Sequence, residues 1–330
     1  MNISIIIPFY NGGKTIGRCL DSIYTQNLPE KDFEVIIVDD CSTDSSSVKI
    51  LQDYSKSHPD NLKVIRHTVN KRQGGARNTG IKVAKGKWIL FIDQDDFFVD
   101  NSIKQIHLLS FKHGDFDFIM FDSHRGDGTE IHSIGTYTIK KTSEKEMTGE
   151  EFLMQVAVPW SPWQYLYNRN TLVSTGIEFE ENVRFEDTDF VLEYTAKAKK
   201  CRFIPIVVLY HVIHKEQTST IKNNISLILD IFKMNFRVYQ VAMNEKEYSE
   251  TASKAIMGHA IYMRKANILK YLWRLSFKDM KKTLKQTHFS TKIGNSIVDF
   301  TNSHITFTCI ILTILKPAFH IAVLLKRLKK

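Results

Sequence analysis

Short apolar runs alternate with helical patterns through the first hundred residues, and this alternation limits the fold more than any other feature. The runs at residues 3–7, 35–38, 62–65 and 88–92 are short, and β-branched residues are frequent in them, as in strands that are buried on both faces. Between the first two, Ile16, Cys19, Leu20 and Ile23 recur at helical spacing. Strands that alternate with helices are joined by right-handed crossovers. The sequence therefore predicts an α/β fold, a Rossmann-type and mostly parallel sheet flanked by helices.

Acidic residues follow two of these runs. Asp39 and Asp40 follow residues 35–38, and Asp93, Asp95 and Asp96 follow residues 88–92. Ligands of open α/β sheets bind where strands end. Oxygen ligands in this number suit Mg²⁺ or Mn²⁺, which share their coordination shell with substrate phosphates. A solvated acidic loop before the next helix is the alternative explanation.

A basic, glycine-rich segment, NKRQGGARNTG, spans residues 70–80 and leads into a helical pattern. Gly74 and Gly75 permit close backbone approach, and a helix N-terminus favours an anion. Arg72 and Arg77 are candidates to neutralise phosphate. A tight turn would explain the glycines equally well. Together with the acidic clusters, the segment predicts a cleft for a metal-bound nucleoside diphosphate.

Composition restricts the partners and the compartment. The net charge of +9 indicates a polyanionic partner, but no basic motif interleaved with aromatic residues supports nucleic-acid binding. The four cysteines form no CxxC pair, which favours a reducing compartment over a disulfide scaffold. The first residues lack the pattern of a signal peptide, so we expect a cytoplasmic chain.

The C-terminal residues differ from the rest. Residues 305–325 are mostly apolar and four basic residues follow, but a membrane span would place Lys316 near the bilayer centre and the basic end outside. We therefore expect a segment at about residues 303–330 to lie on the inner face of the cell membrane as a peripheral anchor. A buried helix or an oligomer interface, as in a homodimer, is the alternative. The predicted domains are residues 1–220 and a basic helical region, residues 221–330.

Four motifs carry a family resemblance: IIIPFYN, VIIVDDCSTD, GGARNTGIKVAKGKWILFIDQDD and VRFEDTDF. In order and spacing the sequence resembles the family-2 glycosyltransferases of the GT-A fold over roughly residues 1–220. The resemblance implies an inverting, metal-dependent enzyme that moves a sugar from a nucleotide-sugar, most commonly a UDP-sugar. It also implies a glycan or lipid-linked acceptor in the synthesis of surface polysaccharide or glycolipid.

The resemblance also assigns roles to individual positions. Pro8, Phe9, Tyr10, Asp40, Arg77 and Asp93 would bind the nucleotide-sugar, Asp93, Asp95 and Asp96 would hold the metal, with Asp95 favoured, and Asp187 would be the general base. An acidic first turn of a helix is the alternative explanation for Glu186 and Asp187.

Acceptor contacts are less constrained. Trp160 and Trp163 fit stacking on an acceptor sugar and core packing equally well, and His214 falls where the family has a polar loop near the diphosphate. Gln164 stands where the family often has lysine or arginine. Residues 203–213 have a strand pattern, so His211 and His214 would face opposite sides and form no joint metal site.

Two other classes of protein remain as alternatives. A phospho-receiver signalling module shares the VIIVDD pattern but needs a lysine at the last strand, where FDFIMFD offers none. A catalytically inactive membrane scaffold would keep the same fold.

Overall fold

The computed structural model describes residues 2–112, 115–127, 145–155, 161–213, 225–244, 246–289, 296–306 and 308–313. The chain forms two compact units, Met1–Gln217 and Thr218–Lys330. The sequence also has a weak strand pattern at residues 136–140. This segment, the acceptor candidates Trp160 and His214, and most of the predicted membrane segment lie outside the described residues.

One sheet runs through the described part of the first unit. Its strands are β1 (Ile3–Phe9), β2 (Phe33–Asp39), β3 (Leu62–Arg66), β4 (Trp88–Phe91), β5 (Phe97–Phe98), β6 (Phe118–Gly126), β7 (Tyr165–Asn168) and β8 (Cys201–Val212). Their order is β3-β2-β1-β4-β7-β6-β8-β5. The pairs β2–β3, β1–β2, β1–β4 and β6–β8 are parallel, whereas β7 is antiparallel to both β4 and β6, and β5 is antiparallel to β8. The predicted α/β class is confirmed, in the form of a mixed sheet.

Helices cover both faces of this sheet. They are α1 (Ile16–Tyr24), α2 (Ser45–Ser57), α3 (Arg72–Val83), α4 (Ser102–Lys112), α5 (Gly149–Gln155), α6 (Arg169–Thr175) and α7 (Asp187–Lys197). The predicted packing residues of α1 are buried at one face, in a core that includes side chains of α2, α4 and alternate strand residues such as Ile119 and Phe121. The other face carries an aromatic cluster in which Phe91 contacts Phe179 and Phe190, and Phe118 contacts Tyr194 of α7.

The strand directions bring several chain segments to one edge of the sheet. Because β1, β2, β4, β6 and β8 run the same way, their carboxyl ends share that edge. All seven residues of β1 and of β2 are buried, as expected for strands with a neighbour on each side and helices on both faces. Strands buried in this way hold the loops that follow them at fixed positions along the edge.

The described part of the second unit is helical. It contains α8 (Ile225–Ala242), α9 (Glu250–Tyr271), α10 (Phe277–Gln286) and α11 (Ser296–Ser303). Arg264 of α9 is fully buried in it, beside the rings of Phe232 and Phe289, and donates to the Thr287 hydroxyl at 2.9 Å. Within the described residues, no helix has both the length and the apolar character to cross a membrane.

Candidate active site

Arg77 of α3 joins two acidic groups that are far apart in the sequence. Its Nη2 donates to Asp93 Oδ1 at 2.8 Å, and its Nη1 donates to Glu186 Oε1 at 2.5 Å. Only 2% of Arg77 is exposed. Burial alone would lower the pKa of Arg77, but the two carboxylates more than offset this and raise it, so the guanidinium stays charged. The loop after β4 and the start of α7 therefore meet at one point.

Two residues of α3 allow the segment before Glu186 to lie close to this helix. An ideal Cβ on Gly74 would lie 2.3 Å from the Glu180 carbonyl oxygen and 3.2 Å from Glu186 Cγ, so only glycine fits. One turn further on, Asn78 exchanges two hydrogen bonds with the Phe179 backbone, at 2.8 and 2.9 Å. The glycine-rich segment thus allows the close backbone approach that was expected. At Gly74 this approach packs α3 against residues 180–186.

Asp187 differs from its neighbour Glu186 in its partners. Glu186 is buried and bound to Arg77, whereas Asp187, the first residue of α7, is half-buried and accepts a hydrogen bond from the Thr188 hydroxyl at 3.4 Å. Burial and, after it, the charge of Glu186 raise the pKa of Asp187 to about 7, against the opposing effect of Arg77. A carboxyl group with a pKa near neutrality is suited to take up a proton.

The loop after β4 holds Asp93 and Asp95 beside the end of β1. Both carboxylates are half-buried. Between them, Gln94 accepts from Tyr10 N at 2.8 Å and donates to Tyr10 O at 3.2 Å. A Cβ on Gly12 would collide with the Gln94 side chain at 2.4 Å, so glycine there leaves room for this double contact.

Asp96 lies behind this loop and has partners within the protein. It is fully buried, accepts from Val212 N at 2.8 Å and pairs with His211 Nδ1 at 3.0 Å. Burial raises the pKa of Asp96 to about 7, and the pairing with His211 opposes the rise. Trp163 stacks on the His211 ring at 5.2 Å and is 5% exposed, so of its two interpretations the structure shows core packing.

Asp40 connects the end of β2 to the start of α3. Its Oδ1 accepts from Lys71 N at 2.8 Å and pairs with His67 Nδ1 at 2.8 Å, and the other His67 nitrogen lies 2.9 Å from the Thr79 hydroxyl. Asp40 itself is 3% exposed. This contact fixes the N-terminus of α3 beside the end of β2.

The remaining nucleotide candidates lie at the end of β1. Pro8 and Phe9 are buried within the strand, and the Phe9 ring belongs to the core, whereas Tyr10 is 45% exposed. Arg77, the predicted donor contact, binds protein carboxylates through both of its Nη groups. Among the described residues no three His, Cys, Asp or Glu side chains converge as a metal site.

Strained backbone concentrates around this edge. Asn11, Cys41, Arg72 and Phe185 have φ values of 47°, 68°, 62° and 60°, which non-glycine residues adopt rarely. Asn11 and Cys41 follow β1 and β2. Arg72 begins α3, and Phe185 directly precedes Glu186. Such conformations persist where the surrounding structure enforces them, frequently at functional sites.

Sequence reasoning missed the residues that position the site. Gln94, Asn78, His67 and the partnership of Glu186 with Arg77 were not predicted. The sequence offered one clue, the position of Gln94 between two aspartates. Amide side chains otherwise carry no pattern that reveals a distant partner.

Residues 4–157 match the family model of Glycosyl transferase family 2. Residues 4–157 therefore form a glycosyl transferase family 2 domain. A relative, the poly(ribitol-phosphate) beta-glucosyltransferase of Bacillus spizizenii, is 33% identical over 219 residues, a match that covers 66% of this chain and 33% of that protein. The chain thus spans about a third of that relative's length. The match over residues 4–157 and the mixed sheet argue against the phospho-receiver alternative.

Solved structures share the fold. Staphylococcus aureus TarS 1-349 in complex with UDP-GlcNAc aligns with a TM-score of 0.69 at 22% identity, covering 87% of this chain and 82% of that one. The mannosyltransferase PcManGT from Pyrobaculum calidifontis, solved with GDP-Man and Mn²⁺, aligns with a TM-score of 0.56 at 16% identity, covering 96% and 86%. At these identities the likeness establishes the fold, and the predicted GT-A architecture is confirmed.

Proposed function

We propose that this chain is an inverting glycosyltransferase that moves a sugar from a UDP-sugar to a hydroxyl of a glycan or lipid-linked acceptor in surface polysaccharide synthesis. The observation that supports the proposal is the bridge from Asp93 through Arg77 to Glu186, because Asp93 is a candidate donor residue and Glu186 directly precedes Asp187, the candidate base. An enzyme of this class needs those two groups within the length of one sugar.

Asp187 has the properties that single displacement requires of a base. The acceptor oxygen attacks the anomeric carbon, the bond from that carbon to the diphosphate oxygen breaks, and its electron pair leaves with the diphosphate. The acceptor proton passes to the carboxylate of Asp187. This group is half-buried, and its pKa is raised to about 7. No covalent sugar–enzyme intermediate is involved.

Arg77 and Glu186 have a positioning role in this proposal. Arg77 neutralises Asp93 and Glu186 and fixes their spacing, while the neighbouring Glu186 charge helps to keep the pKa of Asp187 high. Arg72, which is exposed at the start of α3, is the better candidate for contact with a phosphate.

The residues after β4 suit a divalent cation. Asp93 and Asp95 offer half-buried carboxylate oxygens, the ligands that Mg²⁺ and Mn²⁺ prefer, and two protein ligands leave room for substrate phosphates. We propose these two as the ligands, since Asp96 is fully buried and has both oxygens bound by His211 and Val212 N, whereas Arg77 binds Asp93 through Oδ1. Such a cation would neutralise charge on the departing diphosphate.

The donor and acceptor classes follow from the relatives. One structural neighbour was solved with UDP-GlcNAc, and one relative is named for glucosyl transfer to poly(ribitol phosphate). We infer a UDP-sugar and a polyhydroxylated acceptor on this basis. The inactive-scaffold alternative lacks support from the site, because the carboxylates required for catalysis are present and arranged around Arg77.

A screen of nucleotide-sugars by thermal shift, with and without Mn²⁺, tests the proposal. We expect UDP and one UDP-sugar to raise the melting temperature, more strongly with Mn²⁺, and that donor to be hydrolysed slowly to UDP. If no nucleotide-sugar shifts the melting temperature or releases its nucleotide, the proposal is wrong.

The C-terminal region is proposed to hold the enzyme at the inner face of the cell membrane. The support is the apolar run at residues 305–325 followed by basic residues. A chain ending at residue 302 should fail to sediment with anionic phospholipid vesicles that bind the full chain. Equal sedimentation of both chains would refute membrane attachment through this segment.

A further inference from the structure

The positive charge of this protein is concentrated in its second unit. Residues 218–330 contain 19 basic and 6 acidic side chains, a net charge of +13, whereas residues 1–217 contain 26 and 30, a net charge of −4. The unit that carries the candidate active site therefore has no excess of positive charge. A polyanionic partner of the kind that the overall charge of +9 indicates should accordingly bind the helical unit.

One side of α10 holds four of these charges at a spacing of three and four residues, which places them on the same side of a helix. This lysine face consists of Lys278, Lys281, Lys282 and Lys285. Three of the four lysines are exposed, and Lys281 is half-buried. The opposite side of the helix, with Met280 and Leu284, is buried in the core of the unit. The helix therefore turns its apolar side inward and its lysine face to solvent.

The charges of the lysine face are not balanced within the part of the chain that the structure describes. Elsewhere in the unit a helix lysine has an acidic neighbour, as Lys254 has Glu250 at 2.5 Å. The one acidic side chain of α10, Asp279, accepts from the Ser276 hydroxyl at 2.6 Å, and among the described residues the four lysines form no ion pair. Like charges one turn apart on a helix repel each other, so an anionic partner would stabilise this face.

The lysine face adjoins the first part of the apolar C-terminal run. Leu284 belongs to the same core cluster as Cys309 and Leu312, and the run remains mostly apolar through residues 305–325. Burial raises the pKa of the Cys309 thiol and the charge of Lys281 opposes the rise, so these two side chains are neighbours. Lysines beside an apolar segment suit a bilayer, where the lysines meet anionic headgroups and the apolar side chains enter the acyl boundary. A soluble polyanion would need the charges but not the apolar neighbour.

We propose that the lysine face of α10 is a docking surface for the anionic headgroups of a lipid bilayer. The inference rests on the membrane attachment proposed above and adds to it a second contact, at a different part of the chain. A single apolar anchor binds a bilayer weakly and reversibly, and a basic patch beside it makes the attachment stable. The lysine face would also determine which side of the helical unit meets the headgroups. Salt should weaken the contact, because ions screen exposed charges.

A triple substitution of the full chain tests the docking surface, because glutamine matches lysine in helix propensity and carries no charge. The test variant combines Lys278→Gln, Lys282→Gln and Lys285→Gln. The control variant makes the same change at three exposed lysines of α2 and α4 in the first unit, which also form no ion pair among the described residues. It combines Lys49→Gln, Lys104→Gln and Lys112→Gln. Both variants thus lose three positive charges from exposed helix positions.

Sedimentation with vesicles measures the binding. Vesicles of phosphatidylglycerol with phosphatidylcholine are compared with vesicles of phosphatidylcholine alone. We expect the wild type and the control variant to bind the anionic vesicles equally, and the test variant to bind them about tenfold or more weakly. On the neutral vesicles all three proteins should bind alike. In about 0.5 M salt, the preference of the wild type for anionic vesicles should disappear.

Three outcomes would overturn the inference. The wild type could show no preference for anionic vesicles, or the test and control variants could bind them equally. The test variant could also lose binding to soluble polyphosphate while its binding to vesicles is unchanged, which would make the lysine face a site for an anionic polymer. If the triple variant does not fold, the measurement passes to Lys282→Glu with Lys104→Glu as control. A weakening of about fivefold or more is then expected, and the same outcomes apply.

Failure of the functions proposed above gives different results. Equal sedimentation of the full chain and a chain ending at residue 302 would refute attachment through the apolar segment, whereas weaker binding of the test variant would still establish the lysine face. UDP release from a nucleotide-sugar should be the same in the test variant and the wild type, since none of these lysines belongs to the candidate active site. An inactive wild type would therefore refute the enzyme proposal and leave the vesicle result unchanged.

Discussion

Arg77 and Glu186 lie 109 positions apart in the sequence and meet at 2.5 Å between Nη1 and Oε1. Because the same guanidinium also holds Asp93, one side chain determines the distance between the donor loop and the start of α7. Arginine is suited to this role since its planar fork can serve two carboxylates at once, which a lysine ammonium on a single flexible stem does poorly.

Arg77→Lys should therefore abolish most sugar transfer even though the charge is kept. Removing both contacts, as in Arg77→Ala, should also lower the free energy of unfolding by about 3–5 kcal/mol, because the buried carboxylate of Glu186 and the half-buried carboxylate of Asp93 lose their counterion. Arg66→Lys is the control, since Arg66 pairs with Asp39 at 3.5 Å but is half exposed. Denaturant unfolding and UDP release measure the two effects. Wild-type activity in Arg77→Lys would contradict the positioning role.

Asp187→Asn should separate catalysis from binding. Transfer is expected to fall by about 10²–10⁴-fold with the loss of a general base, while UDP affinity stays near the wild-type value. Glu186→Gln should behave differently and lower the melting temperature, because it weakens the contact with Arg77. A parallel loss of UDP binding in Asp187→Asn would make Asp187 a binding residue instead.

The pH dependence should follow the raised pKa of Asp187. Since the base acts as a carboxylate, kcat/KM should fall about tenfold per pH unit below its pKa of about 7. For stability the sign is opposite: the contribution of this group is fully present below its ordinary pKa of 3.8 and is lost as pH rises through about 7. Asp187→Asn should therefore melt no lower than the wild type at pH 8. A rate profile that is flat from pH 5, about two pH units below the expected pKa, to pH 8 would refute the assignment.

Asp95→Asn should remove the effect of the cation. In the wild type, Mn²⁺ is expected to strengthen the thermal shift produced by UDP, and the variant should respond to UDP alike with and without Mn²⁺. Asp96→Asn is the contrasting change: it disturbs the pair with His211 and should lower the melting temperature without ligand. An undiminished Mn²⁺ response in Asp95→Asn would exclude Asp95 as a ligand.

Arg264→Met should raise the melting temperature. Burial lowers the pKa of Arg264 to about 9, which shows that the charged form is disfavoured there, and its partner among the described side chains is the neutral Thr287 hydroxyl. Replacing a buried charge by an apolar side chain of similar length is often stabilising. Calorimetry at pH 7 measures the shift, with Lys254→Met on the exposed face of the same helix as control. A clearly lower melting temperature would indicate an anionic partner for Arg264.

The central strands could be predicted from the sequence because each is a short apolar run buried on both faces. The predicted run at residues 88–92 corresponds to β4 at Trp88–Phe91, and residues 203–213 correspond to β8 at Cys201–Val212. β5 and β7 were not predicted, since two and four residues are too few to show a period. Their antiparallel pairing makes the sheet mixed rather than uniformly parallel.

The sequence indicated which acidic residues belong to the site, but not how they are arranged. Motifs indicated Asp93 and Asp187, but nothing in the motifs or the charge pattern predicted that the neighbouring Glu186 would bind Arg77. Trp163 could not be assigned either, because an indole that stacks on a sugar and one that stacks on His211 have the same local sequence. These distinctions depend on contacts between residues that are 109 and 48 positions apart in the sequence.

The missing side chain at position 74 has a consequence for how this protein can change. Any other residue there adds at least a methyl group, which would have to push the 180–186 segment off α3. Asp187 and the candidate nucleotide site would then move apart, although every reactive residue would still be present in the sequence. A variant at this position could keep the complete set of reactive groups and still be inert.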